Sequence, residues 1–305
     1  MSIRYTFCTA DFGAGTSWLR AGMISSYMKV EGKRPCRWIS YDQIDESLEN
    51  AGKEDCYIFL KPGKIEEQVL KAKKIVRNII LDPSDNEVGV NNNPFWKEVA
   101  DLVLYDTDHQ RSFFVISGIK KLAKIRHLHS NFDLNNNKGQ SQVRKKIDQI
   151  ATVGYMGLPG QIDENYKIID LITKTGLGWY QASPNPMNNN YHTQLIDCQI
   201  VHLNKESSLS KLLMKPHNKM MNCFSFGIPC VFSPYSSYME TVRGIESLEW
   251  LAADTVENKI SKILNLAQDQ HLLSTVTKHA FELSLDYHVS KYENCYSSLF
   301  DFVEG

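Results

Sequence analysis

Lys219 and Asn222 lie three residues apart in the stretch Lys215-Pro-His-Asn-Lys-Met-Met-Asn-Cys-Phe-Ser-Phe-Gly-Ile-Pro-Cys-Val-Phe-Ser-Pro234. On a helix that spacing shares one face, so a cation and an amide are offered to one ligand. Pro216 precedes the predicted helix, with His217 or Asn218 placed as its N-cap. The pattern predicts a helix that stops at Gly227 and cannot continue through Pro229, then a buried strand over Cys230–Ser233. In an α/β protein such a helix start lies at the carboxyl-end rim of the sheet, where ligands bind. Its unpaired amides and dipole attract phosphate. A surface helix capped by Asn and ended by Gly has the same pattern, and spacing alone leaves both readings open.

Other residue groups carry weaker chemistry. Gly13, Gly15 and Thr16 follow a first strand-like run, with Arg20 just beyond. Glycine allows close backbone approach to a ligand, but a plain strand-to-helix turn has the same pattern. The three-glycine dinucleotide fingerprint is absent. Asp106-Thr107-Asp108 could chelate a divalent cation through aspartate oxygens. It also stands at a helix start, where an N-cap is the commoner use. His127 and His129 share a side at strand spacing with no obvious third ligand, so they read as structural and no metal site is expected. Tyr155-Met-Gly157 opens a loop after a strand.

The elements that position these residues alternate. Strand-like runs at Ile3–Thr9, Cys56–Leu60, Asn78–Leu81 and Asp101–Tyr105 are separated by helical stretches at Ser17–Lys29, Lys64–Arg77 and Gln110–Leu122. This predicts a parallel sheet covered by helices. Asparagine-bearing loops fall at Asp85–Pro94 and Asn131–Gln142. Beyond them the pattern restarts with a strand at Ala151–Tyr155 and a helix at Asp163–Thr175, and from Val256 the chain is helical almost to its end. A boundary near 145 gives domains 1–145 and 146–305.

With 305 residues, 42% of them hydrophobic and 23% charged, two independent cores are affordable. A net charge of -1 gives no electrostatic reason for nucleic acid as the main partner. Arg144-Lys145-Lys146 reads as a solvated helix face rather than a phosphate contact. Seven scattered cysteines without a Cys-x-x-Cys pair argue against a disulfide framework or zinc ribbon. With a polar N-terminus and no long apolar run, they predict a cytoplasmic protein. Peripheral membrane contact stays open.

The Lys215–Pro234 stretch resembles the donor-binding signature of GT-B glycosyltransferases, particularly family 4: Asn-Lys, two apolar residues, Glu, a short helix, then Gly-x-Pro-Val-Val. Asn218, Lys219, Gly227, Pro229 and Val231 fall in register, and Asn222 stands where the family has Glu. Ser233–Val242 and Leu248–Asp254 resemble the strands and loops that follow, and Ile80–Asp85 a strand-end Asp motif. The resemblance implies two Rossmann-like domains facing a cleft, with C-terminal helices crossing back to the first domain. It implies transfer of a sugar from a nucleotide-diphosphate donor to a hydroxyl on a saccharide or glycoconjugate, with retention and no obligatory metal or cofactor. By this likeness Lys219 and Glu240 are catalytic, Lys219 on the diphosphate and Glu240 on a sugar or ribose hydroxyl. Lys215, His217, Asn218, Asn222, Tyr155 and Gly157 line the donor side. Gly13, Gly15, Thr16, Arg20 and Asp82 face the acceptor, Arg20 reaching a phosphate or carboxylate. Two other readings are a non-catalytic nucleotide-sugar-binding scaffold, suggested by Asn222, and a sugar-nucleotide epimerase of the same fold.

Overall fold

A computed structural model describes residues 3–10, 12, 17–62, 65–84, 94–129, 144–157, 160, 162–182, 189–203 and 217–305. Candidate residues Gly13, Gly15, Thr16 and Lys215 lie outside them, as do both asparagine-bearing loops apart from Pro94. The chain divides into two compact units. Among the described residues, the first runs to Leu128 and also takes Val289–Gly305, and the second runs from His129 to His288. The division therefore falls earlier than the expected 145, and the terminal segment belongs to the first unit.

In the first unit β1 (Tyr5–Thr9), β2 (Cys36–Ser40), β3 (Cys56–Leu60), β4 (Asn78–Asp82), β5 (Leu102–Tyr105) and β6 (Leu122–Lys124) form a parallel sheet in the order β2-β1-β3-β4-β5-β6. The helices α1 (Met23–Glu31), α2 (Glu66–Ile75) and α3 (Asp108–Ile116) alternate with its strands. Strand β3 is buried at every position, as its uninterrupted apolar run requires when both faces are covered. The terminal helix Ser297–Glu304 docks on this unit. Tyr5 donates to the Glu304 carboxylate at 2.7 Å, Arg34 pairs with Glu293 and Glu304, and the Arg34 guanidinium lies 4.0 Å from the Phe300 ring centroid.

In the second unit β7 (Thr152–Met156), β8 (Gly178–Ala182), β9 (Cys198–Val201) and β10 (Cys230–Phe232) form another parallel sheet, ordered β10-β9-β7-β8. Its helices include α4 (Asn165–Lys174), α5 (Asn218–Phe224), α6 (Ser236–Val242), α7 (Val256–Gln268) and α8 (Gln270–Ser284). The entrance of β7 is fastened by Asp197, whose carboxylate accepts from the amides of Ala151 and Thr152 at 3.0 and 2.9 Å and from Lys145 at 2.7 Å. Lys145 is thus an internal anchor on irregular chain, not part of a solvated helix face. Gly154 is required inside β7, since a Cβ there would stand 2.6 Å from the Tyr180 carbonyl oxygen.

Most predicted strands and helices lie where their patterns put them, but the helix expected over Gln110–Leu122 ends at Ile116, and Leu122 opens β6 instead. Leu248–Asp254 does not form the strand its resemblance implies. Glu246–Glu249 is helical, and only Ala252 bridges to Phe232 of β10. Strands β2, β6, β8 and β9 went unread. β8 is partly exposed along its length, and β6 and β9 span only three and four residues.

Candidate functional site

The strand order of the second sheet reverses between β7 and β9, because β8 pairs on one side of β7 and β9 on the other. Ligands of open α/β sheets bind outside the carboxyl ends of the strands at such a switch point. Lys219 lies there. Its Nζ donates to the carbonyl of Met156, the last residue of β7, at 3.1 Å, and stands 5.2 Å from the Tyr155 ring centroid. The next residue, Gly157, leaves room for that ammonium: a Cβ on it would lie 2.6 Å from Nζ. Sequence-predicted Lys219, Tyr155 and Gly157 are therefore brought together.

Helix α5 starts at Asn218 with His217 as N-cap and ends before Gly227, whose φ of 73° is a left-handed conformation suited to glycine. The α-helical part is seven residues, shorter than the pattern suggested. Asn218 Oδ1 accepts from the amide of Lys219 at 2.9 Å, so one amide of the first turn is already engaged by its own neighbour. From behind, Gln199 Nε2 donates to the Lys219 carbonyl at 3.1 Å, and its Oε1 accepts from Cys223 Sγ at 2.9 Å. This buried glutamine on β9 fixes α5 to the sheet, and nothing in the local pattern around it announced that role.

His217 is buried, lies 3.2 Å by its Nδ1 from Thr241 Oγ1, and meets the Tyr287 ring edge to face at 5.1 Å between centroids. Thr241 is the helical neighbour of Glu240 on α6, so His217 ties the start of α5 to the helix bearing Glu240. Glu240 is half-buried and Asn222 is buried at 9% exposure. Tyr155 is wholly buried, and burial first, then the charge of Asp163, pushes its phenol well above the usual tyrosine range. It is a neutral platform beneath the Lys219 cation.

In the first unit Arg20 and Asp82 come together, but inside the unit. The Arg20 guanidinium lies 3.6 Å from Asp82 and 3.6 Å from Asp106, with its side chain 1% exposed. That burial corrects the expectation that Arg20 reaches out to a ligand. Burial pushes the Asp82 carboxyl up, against the opposing pull of Arg20. Thr107 caps α3 by accepting from the Gln110 amide at 3.2 Å. Asp106 accepts from the His127 amide at 3.1 Å, and Asp108 pairs with Lys124 at 2.9 Å. His129 Nε2 donates to the Ser284 carbonyl at 3.1 Å, which fixes its tautomer. Among the described residues no cluster of three or more His, Cys, Asp or Glu is arranged to hold a metal ion, and no helix is long and apolar enough to cross a membrane.

No protein-family model matches the sequence. No curated protein matches it either. Solved structures do match over nearly the whole chain. An alpha-glucosyltransferase in complex with UDP superposes with a TM-score of 0.65 at 10% identity, covering 99% of this chain and 100% of that one. Anabaena Alr3699/HepE in complex with UDP gives 0.65 at 11% identity, with 99% and 100% covered. Sucrose-phosphate synthase (tll1590) from Thermosynechococcus elongatus gives 0.55 at 9% identity, with 98% and 100% covered. Likeness at such low identity is a statement about architecture, and together with the two parallel-sheet units and the returning terminal helix it establishes that this chain has the GT-B fold.

Proposed function

We propose that this protein is a glycosyltransferase that takes a sugar from a nucleoside-diphosphate donor and passes it to a hydroxyl of a saccharide or glycoconjugate. The observation that carries the reading is the position of Lys219: a cation held over a buried tyrosine at the switch point of the second sheet. UDP is bound in similar structures of both the alpha-glucosyltransferase and HepE, and a further HepE structure holds UDP-glucose, which favours a uridine nucleotide here. As the bond from sugar to diphosphate breaks, negative charge grows on the leaving phosphate. A cation already fixed in place stabilises that charge without reorganising during the reaction. In this reading Lys219 supplies the charge, Asn222 holds the ribose in place of the family's glutamate, and Glu240 contacts the sugar. The reaction proceeds with retention and needs no obligatory metal or cofactor. The acceptor lies on the side of the first unit.

Thermal shift against UDP-, GDP-, ADP-, dTDP- and CMP-sugars, with and without Mg, tests the donor site, because a ligand specific to the folded state raises the melting temperature. A shift with UDP-glucose, followed by release of UDP when acceptor is added, is the expected result. Absence of any shift in a cooperatively folding protein overturns the reading. Donor binding without hydrolysis or transfer makes the chain a nucleotide-sugar-binding scaffold, the alternative raised by Asn222 in place of glutamate.

A further inference from the structure

His202 directly follows β9 and is 2% exposed. Its Nδ1 lies 3.1 Å from Lys259 Nζ and its Nε2 2.9 Å from a carboxylate oxygen of Glu164. Lys259 is wholly buried on α7 and also donates to the Ala253 carbonyl. An ammonium only donates, so Nδ1 must accept, and the single ring proton sits on Nε2 and goes to Glu164. Burial first, then the Lys259 charge, holds the imidazole below its usual range, consistent with a neutral ring.

Glu164 ends the segment that leaves β7 and begins at Gly157, beside Lys219. Its φ of 50° is a left-handed conformation rarely kept by a non-glycine residue without support from its surroundings. The Asp163 amide adds a second tie, donating to the His202 carbonyl at 3.2 Å. Next along the chain, Leu203 is held by Ser233 Oγ, which lies 3.2 Å from its amide.

The geometry points to His202 as a positioning residue: its neutral imidazole ties Asp163 and Glu164, at the start of α4, to the carboxyl end of β9, and so holds that helix start at the switch point where Lys219 receives the donor diphosphate. This rests on the proposed donor site, but the clamp itself is testable without ligand. The charged groups facing the ring are Lys259 from α7, Glu164 at the start of α4, and Asp163 just before it. Glu164 is further paired with Lys167, which also reaches Glu257. Protonation of the ring would remove its acceptor and set imidazolium against ammonium, opening the clamp in acid.

Amide hydrogen exchange of the full chain, without ligand, at pH 7.5 tests the inference for wild type, His202→Gln and His202→Ala. Glutamine reproduces one acceptor and one donor. The expected result is at least tenfold faster exchange at the Asp163 amide and across 162–164 in the alanine variant, and near-wild-type protection there in the glutamine variant. Unchanged exchange across 162–164 in His202→Ala, or a rise spread evenly through the second unit, overturns the clamp. UDP titration of the same three proteins is a separate arm. If wild type fails to bind, the donor-site reading falls while the exchange result still decides the clamp. If it binds, His202→Ala weakens binding about tenfold and His202→Gln restores it, and equal affinity in all three overturns the link to the site.

Discussion

The ammonium of Lys219 donates to the carbonyl of Met156 at 3.1 Å, joining the first turn of α5 to the last residue of β7. A lysine that already has a fixed partner and an aromatic platform loses little freedom when a phosphate arrives, so it acts as a preorganised charge. Lys219→Ala should therefore lower turnover on the order of 10²–10³-fold. The circular dichroism spectrum should stay unchanged, because the side chain is only half-buried. Turnover within threefold of wild type in a folded variant removes Lys219 from the reaction.

Gly157→Ala is the subtler probe of the same geometry. The added methyl would collide with the free end of a flexible side chain, Lys219 Nζ at 2.6 Å, and with the Tyr155 ring at 2.9 Å. The ammonium can swing aside at small cost, but the buried Tyr155 ring must also give, so stability should fall by about 1–3 kcal/mol without loss of folding. Losing a charged contact to the diphosphate should weaken nucleotide binding by about 1.5–3 kcal/mol, roughly 10- to 100-fold. Calorimetric titration with UDP measures it, and unaltered affinity would mean the diphosphate does not rest on Lys219.

Arg20 separates a structural role from a binding role. Its guanidinium is enclosed by Asp82 and Asp106 in the first unit, so Arg20→Met leaves two buried carboxylates without their cation. Breaking one partner out of a buried ionic cluster costs about 3–5 kcal/mol. A fall of that size in the unfolding free energy obtained from denaturant titration is expected. A variant as stable as wild type but defective toward acceptor would return Arg20 to the substrate.

Two buried imidazoles make stability depend on pH in a defined direction. His129 is held down to about 3 by burial first and then by the neighbouring His288, and His202 is lowered by burial and Lys259. Unfolded imidazoles titrate near 6.5, so below that pH the unfolded chain binds more protons than the native one. Their contribution is therefore complete above about pH 6.5 and drains away as the pH falls toward the folded values. Between pH 7.5 and 5.5, above the ordinary carboxylate range, His129 alone should cost about 1 kcal/mol. Urea unfolding at the two values tests this, with His129→Gln expected to show a smaller loss. An equal loss in the variant would mean His129 protonates freely in the native state.

The amino-acid sequence by itself determined the alternating α/β plan, the helix stop at Gly227 and the residues Lys219, Tyr155 and Gly157. Each is written locally: an apolar run long enough to be a buried strand, a glycine that tolerates positive φ, a lysine at a helix start. Only the tertiary structure decided that Arg20 is buried between Asp82 and Asp106, that Lys145 anchors β7 through Asp197, and that His202 joins Lys259 to Glu164. Those pairings span 62 and 86 positions for Arg20, 52 for Lys145, and 57 and 38 for His202. No periodicity of 2 or 3.6 residues carries information over such separations. A charged or titratable side chain reads alike on a solvated face and in a buried network, and what separates the two is which distant elements the packed sheets bring beside it.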